Sequence, residues 1–290
     1  MFKKMNLSSL TVVLVLLVAM VFPFTSYQSV GSAEKAVPED TYFTPLEAGK
    51  AAQVYFYFKN LSKKESTLSA KITVKDFPKG NEQNWFTQFC YSNICFLDEG
   101  TSPNKVKNNA TEEMHVTLYP YTGAKVGEKI RIVLEVWPTR EANLKTTLTF
   151  YGIVVKPSNI KLVIDKKNAV VGGKDITLDV PPMIISGRTM VPLRFIGEAL
   201  SAEILWDNAT RKVTYVLGDL SAFFWIDKKE AMVKIGPVYQ RTIPLDAAPI
   251  IKNSRTLVPV RYVGEILGAE VGWEASTRTV TILFPKPSKE

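Results

Sequence analysis

The sequence predicts a mainly β protein with an α+β part: a β-sandwich followed by two small β-β-α-β-β units packed as a pseudo-symmetric pair. Three observations lead to this fold class. Residues 41–155 contain several short runs with the apolar–polar alternation of strands, separated by polar turns. Residues 186–217 recur at 253–284 without a gap. Each copy contains one short segment with helical periodicity.

The composition excludes several classes of function. A chain of 290 residues is normally more than one domain, and 46% hydrophobic with 22% charged residues is typical of globular proteins. His115 is the single histidine, so one subunit cannot supply a site with two or more imidazole ligands. This count argues against carbonic-anhydrase-like zinc, HExxH metalloproteases and blue-copper centres. We therefore expect no metal and no cofactor.

Residues 1–33 are predicted to be a secretory signal peptide. Two lysines precede an apolar run from Leu10 to Phe22, and three small residues at 31–33 precede the expected cleavage point. The run is shorter than the ~20 apolar residues that cross a membrane, so no membrane span is expected after cleavage. Loss of the two lysines lowers the net charge from +8 to +6. We expect a secreted or cell-wall-associated protein.

The two cysteines, Cys90 and Cys95, are predicted to form a disulfide. Export favours oxidation, and four residues between them do not match the C-x-x-C spacing of redox motifs. Two cysteines and one histidine cannot complete a tetrahedral zinc site alone. A structural disulfide is therefore favoured over a redox or metal pair.

Residues 34–157 are predicted to form the β-sandwich. Predicted strands cover 51–58, 67–74, 129–137 and 147–150. Trp85 precedes the cysteine pair, and a V-x-L-x-P strand follows at Val116–Pro120. This arrangement resembles immunoglobulin-like modules of secreted bacterial proteins. The resemblance implies a spacer or docking platform and no chemistry.

Two repeats follow, predicted at 158–218 and 219–287. Fifteen of 32 aligned positions are identical, and the second repeat has five extra residues near 236–240. The identities predicted to be structural are Arg188, Pro192, Arg194, Gly197, Glu198 and Trp206, matched by Arg255, Pro259, Arg261, Gly264, Glu265 and Trp273. The prolines are expected in the first helical turn, and Gly197 is expected to let the helix approach a sheet closely. Gly268 is placed to end the second helix.

The motif RTMVPLRFIGEAL at 188–200, followed by WDNATRKVT at 206–214, is similar to the copper amine oxidase N-terminal-like domain, also called the stalk domain. The second repeat carries RTLVPVRYVGEIL and WEASTRTVT. The resemblance implies an exported protein of a Gram-positive bacterium, because this family is abundant in such proteins. It commonly accompanies peptidoglycan- or polysaccharide-active domains. The resemblance implies no oxidase activity, because the catalytic copper and quinone of amine oxidases belong to another domain.

The remaining candidate sites have a functional and a structural interpretation. The repeated acids Glu198 and Glu265, or Glu203 and Glu270, could pair for glycoside hydrolysis, but their duplication favours ion pairs with the arginine four residues before each helical acid. His115 could join a weak metal site shared across a dimer, but is expected to face solvent.

The aromatic residues around the disulfide form the candidate ligand-binding platform. They are Trp85, Phe86, Phe89, Tyr91 and Phe96. The alternative is ordinary sandwich core with one exposed ring. For Trp206 and Trp273, a position in the core is favoured over a role in ligand binding.

Together these features predict an exported, non-catalytic envelope protein that acts in display, spacing or adhesion through a wall polymer or an envelope protein. The alternatives are a carbohydrate-binding module that uses the aromatic loop, or a regulator of a secreted hydrolase. The positive charges are dispersed, which argues against nucleic acid and fits a weak attraction to anionic wall polymers.

Overall fold

The structure, a computed structural model, describes residues 41–287. The predicted signal peptide lies outside the described residues. The predicted mainly β architecture with an α+β part is confirmed: twenty-three strands and two short α-helices account for most of the described chain. Between residues 41 and 287, no helix is long and apolar enough to cross a membrane.

Nine strands form the N-terminal sandwich. They are β1 (Thr41–Leu46), β2 (Ala52–Lys59), β3 (Leu68–Asp76), β4 (Phe86–Tyr91), β5 (Ile94–Phe96), β6 (Glu99–Thr101), β7 (Thr111–Tyr119), β8 (Lys129–Pro138) and β9 (Thr146–Val154). One sheet has the order β1-β9-β8-β3-β6 and the other β2-β7-β4-β5. The strand β1 pairs with β9 in parallel, and the other neighbours are antiparallel.

Alternation along the strands builds the sandwich core. Leu68, Ala70 and Ile72 on β3 are buried as their spacing predicts, and a β-bulge between Ile72 and Val74 then interrupts the pairing with β8. The inward rings of Phe56 and Phe150, one from each sheet, lie 5.6 Å apart. Apolar side chains from both sheets therefore form one continuous core.

Each repeat contains seven strands and one helix. The first comprises β10 (Ser158–Val163), β11 (Asn168–Val171), β12 (Lys174–Thr177), β13 (Met183–Ile185), β14 (Arg188–Pro192), α1 (Leu193–Ala199), β15 (Glu203–Asp207) and β16 (Lys212–Leu217). The second comprises β17 (Leu220–Trp225), β18 (Glu230–Ile235), β19 (Tyr239–Pro244), β20 (Ile250–Lys252), β21 (Arg255–Pro259), α2 (Val260–Leu267), β22 (Glu270–Glu274) and β23 (Thr279–Phe284). Five strands precede each helix, not the two expected, because several are too short to show a clear period.

The two repeats exchange strands. One five-stranded sheet has the order β12-β11-β10-β23-β22 and the other β15-β16-β17-β18-β19, so each takes three strands from one repeat and two from the other. A four-stranded sheet, β13-β14-β21-β20, joins them. At its centre Val191 pairs with Val258, its own counterpart in the second repeat. The pseudo-two-fold axis therefore passes between these two residues.

Glycines allow the helices to lie close to the sheets. A Cβ atom on Gly197 would overlap the Ile204 side chain, and one on Gly264 would overlap Val271. Gly268 follows α2 with φ +77°, the left-handed conformation of a C-terminal cap, as its position predicts.

The sandwich contacts the repeat region directly. Tyr151 and Ile153 on β9 belong to the apolar cluster of the repeats rather than to the sandwich core. A side chain at Gly218 would meet Ile153, and one at Gly236 would meet Tyr151. Apolar side chains and close backbone approach thus join the two parts of the molecule.

Candidate functional site

The disulfide predicted from the cysteine spacing is confirmed. The Sγ atoms of Cys90 and Cys95 are bonded at 2.06 Å, and the two residues face each other across the β4–β5 hairpin. Ser92 in the turn has φ +49°. The bond closes a short hairpin at the edge of the β2-β7-β4-β5 sheet.

His115 lies on the outer face of that sheet, between two neighbours in register. Tyr55 on β2 is one, with ring centroids 5.0 Å apart, and Cys90 on β4 is the other. Because the imidazole is half-buried, its pKa lies below the usual value, although nearby Glu113 acts in the opposite direction. The cysteine sulfurs and a His115 nitrogen lie within 4.8 Å of one another, but the sulfurs are bonded together and offer no thiolate.

The five aromatic residues around the disulfide do not form an exposed platform. Phe86 is exposed and Phe96 is partly buried, whereas the other three rings lie in the sandwich core. The inward positions are Trp85, Phe89 and Tyr91. Alternation along β4 explains the division, because every second residue points between the sheets. A ring held there cannot stack on a ligand in solution.

The outer face of β2 carries aromatic groups that the sequence analysis did not select. Tyr55 and Tyr57 alternate with the buried Phe56 and therefore point outward. The Tyr57 hydroxyl donates a hydrogen bond of 2.6 Å to Glu113 Oε2 on β7, and this bond raises the tyrosine pKa. Period-two alternation in residues 52–59 was the signal that could have found them.

Reciprocal ion pairs hold the repeats together. Arg188 of the first repeat binds Asp246 of the second, and Arg255 of the second binds Asp179 of the first, with Nη2 to Oδ2 at 2.6 Å in the latter pair. These aspartates are equivalent positions in the two repeats. A second reciprocal set joins Arg211 to Asp227 and Arg278 to Asp165, each at 3.0 Å. These four repeated arginines therefore bind across the repeats rather than within them.

The ion pairs expected inside the helices do not form. Neither Arg194 with Glu198 nor Arg261 with Glu265 lies within ion-pairing distance in the described chain. Arg261 instead lies 3.9 Å from Asp246. Glu265 is half-buried, and burial raises its pKa. Asp246 attracts two arginines because it lies near the interface between the repeats.

The prolines and tryptophans of the repeats differ from the predicted positions. Pro192 and Pro259 are N-cap residues with φ near −63°, so each helix begins one residue later than expected. Trp206 is 43% exposed and Trp273 is 48% exposed, which corrects their assignment to the core. Both lie on edge strands, β15 and β22, which have one open side.

A groove of about 610 Å³ opens beside Trp206. Its apolar lining includes Ile176, Phe195 and Ile251 in addition to the indole. Arg194, Glu198 and the Arg255–Asp179 ion pair contribute charged groups. The edge strands β12 and β15 and the helix α1 supply much of this lining.

Comparison with known families identifies the C-terminal half. The sequence model of the copper amine oxidase N-terminal domain matches residues 145–215 and 170–282. Residues 145–282 therefore contain a copper amine oxidase N-terminal-like domain. The matched residues contain no histidine, because the single histidine of the chain lies before them. They therefore cannot supply the imidazoles of a copper centre.

Solved structures resemble the chain only weakly. The N-terminal domain of PorA is 16% identical over 43% of this chain and 93% of its own, with a TM-score of 0.30. A family 123 glycoside hydrolase from Clostridium perfringens is 14% identical over 40% of this chain and 23% of its own, with a TM-score of 0.27. The CsuC–CsuE chaperone–tip adhesion subunit complex of Acinetobacter baumannii is 13% identical over 70% and 94%, with a TM-score of 0.22. Comparison with curated proteins gave no match.

Proposed function

We propose that this is an exported, non-catalytic cell-envelope protein that displays, spaces or attaches a partner at the cell wall. The observation that carries the proposal is the way the parts are joined. The C-terminal part of this chain is built from two repeats that exchange strands. The apolar cluster of these repeats includes Tyr151 and Ile153 of the sandwich. Parts joined in this way are held at a fixed distance from each other. A fixed distance suits a protein that spaces two attachment points better than one whose parts must move during catalysis.

The partner class that best fits is an anionic wall polymer or an envelope protein. Removal of residues 1–33 would leave a net charge of +6, spread over the chain rather than gathered in a stripe. Dispersed positive charge gives a weak, salt-sensitive attraction to polyanions such as teichoic acids.

A wall pull-down tests the proposal. The mature chain, residues 34–290, is incubated with purified Gram-positive cell wall at increasing ionic strength, with teichoic-acid-depleted wall as the control. We expect retention at low salt that declines as salt is added and is weaker on the depleted wall. Absence of retention on intact wall at low salt, together with absence of the protein from the surface of intact cells, would contradict it.

A further inference from the structure

One difference between the groove beside Trp206 and its counterpart in the second repeat is a hydroxyl group. There, the Tyr262 hydroxyl accepts a hydrogen bond of 2.9 Å from the backbone N–H of Asp246 and ties α2 to the segment after β19. Phe195 occupies the equivalent place in the first repeat and has no hydroxyl. The N–H of Asp179, which corresponds to Asp246, therefore lacks that partner.

Exposure follows the same asymmetry. The Asp179 side chain is 67% exposed, against 23% for Asp246. Ile176 is exposed, whereas its counterpart Ile243 is partly buried. Ile176 is thus more open than Ile243, whereas Trp206 and Ile251 are exposed to about the same degree as their counterparts, Trp273 and Ile184.

The groove combines a flat aromatic ring with polar groups that have no protein partner. Among residues 41–287, neither the Arg194 guanidinium nor the Glu198 carboxylate forms a hydrogen bond or ion pair. An exposed indole can pack against the C–H face of a pyranose ring, and charged side chains bind hydroxyl groups. The volume of about 610 Å³ lies within the usual range for small-molecule sites.

We propose that this groove binds an oligosaccharide of N-acetylated hexosamines. The pyranose ring packs on Trp206, and the acetamido methyl group contacts the apolar surface of Ile176 and Ile251. Arg194 donates to hydroxyl or carbonyl oxygens, and Glu198 accepts from hydroxyl groups. The acetamido group accounts for the isoleucines, which an unsubstituted sugar would leave without an apolar partner.

The choice of ligand class rests on the proposed wall location, whereas the site rests on the groove itself. The probe is tri-N-acetylchitotriose, added to the mature chain and followed by calorimetry. Cellotriose, which has the same linkage but no acetamido groups, is the matched ligand control. We expect binding of the first and at least about tenfold weaker binding of the second.

Two pairs of variants locate the binding. We expect W206A to weaken binding at least about tenfold, while W273A, the same change in the other repeat, leaves it unchanged. F195Y supplies the missing hydroxyl and should also weaken binding, whereas Y262F should not. Unchanged melting temperatures for the tryptophan variants would show that the fold is kept.

The inference is wrong if the wild-type chain does not bind tri-N-acetylchitotriose, if W206A binds it as tightly as wild type, or if cellotriose binds equally well. An extended peptide as the true occupant would give the first of these results. Retention on intact wall without trisaccharide binding would leave the proposed function standing. Trisaccharide binding by a chain that neither is retained on wall nor is found at the cell surface would leave the inference standing and contradict the proposed function.

Discussion

The two repeats have nearly the same core and different surfaces. Val191 and Val258 are equally buried and pair with each other at the pseudo-two-fold axis. Away from the axis, Phe195 lines an open groove, while the Tyr262 hydroxyl accepts a hydrogen bond from the backbone N–H of Asp246. The comparison teaches that positions where the copies meet keep the same burial, whereas a position away from the axis, such as that of Phe195 and Tyr262, can differ between the copies.

The largest effect on stability is expected from separating the two repeats. Residues 158–218 expressed alone would lose the pairing of β10 with β23 and of β16 with β17, which supply strands to both five-stranded sheets. A unit of about 60 residues is already marginal without such losses. We expect circular dichroism and NMR to show an unfolded chain. A folded, cooperatively melting fragment would show that the repeats are independent.

The next effect concerns the close approach of each helix to its sheet. We expect G264A to lower the free energy of unfolding by about 1–3 kcal/mol, because the new methyl group overlaps the stiff side chain of Val271. In the first repeat, the methyl group added by G197A would overlap the end of the Ile204 side chain. It would also lie 3.0 Å from an atom of the Tyr215 ring. Urea unfolding of both variants measures the two costs, and stabilisation by either change would contradict the packing described.

A smaller effect is expected from the hydroxyl that distinguishes the repeats. Y262F removes the partner of the Asp246 N–H and should cost about 0.5–1.5 kcal/mol. F195Y, the opposite exchange, should cost little or add stability if the new hydroxyl reaches the Asp179 N–H. Chemical denaturation of both proteins measures the difference. Equal effects of the two changes would argue against the asymmetry.

The smallest effect is expected from the reciprocal ion pairs. R255A removes a pair whose aspartate is 67% exposed, and about 0–1 kcal/mol of stability should be lost. R188A removes the pair with the less exposed Asp246 and should cost more than R255A. Added salt should reduce both losses. A larger loss for R255A would reverse the expected order.

The sequence predicted features that depend on local pattern or on identity between the repeats. The disulfide, the close approach at Gly197 and the helix end at Gly268 follow from spacing and residue type. Strand exchange could not be predicted, because identical repeats do not show whether a strand pairs within its own copy or with the other. Trp206 and Trp273 are exposed on β15 and β22, which lie at sheet edges.

The same limit applies to the charged residues. Helical spacing predicted that Arg194 would bind Glu198. In the structure, the arginines that begin β14 and β21, Arg188 and Arg255, bind the opposite repeat instead. Around the disulfide, alternation along β4 could have divided the aromatic residues into inward and outward sets. That division requires the first residue of the strand, Phe86, which the sequence did not reveal.

Native-state hydrogen exchange on the mature chain tests most directly whether the two repeats form one cooperative unit. Buried amides of β10 and β23, and those of β16 and β17, should exchange with the same free energy of opening, because each pair joins one repeat to the other. If strands of the first repeat opened together at a distinctly lower free energy while those of the second stayed protected, the repeats would be separate units and the account would be wrong.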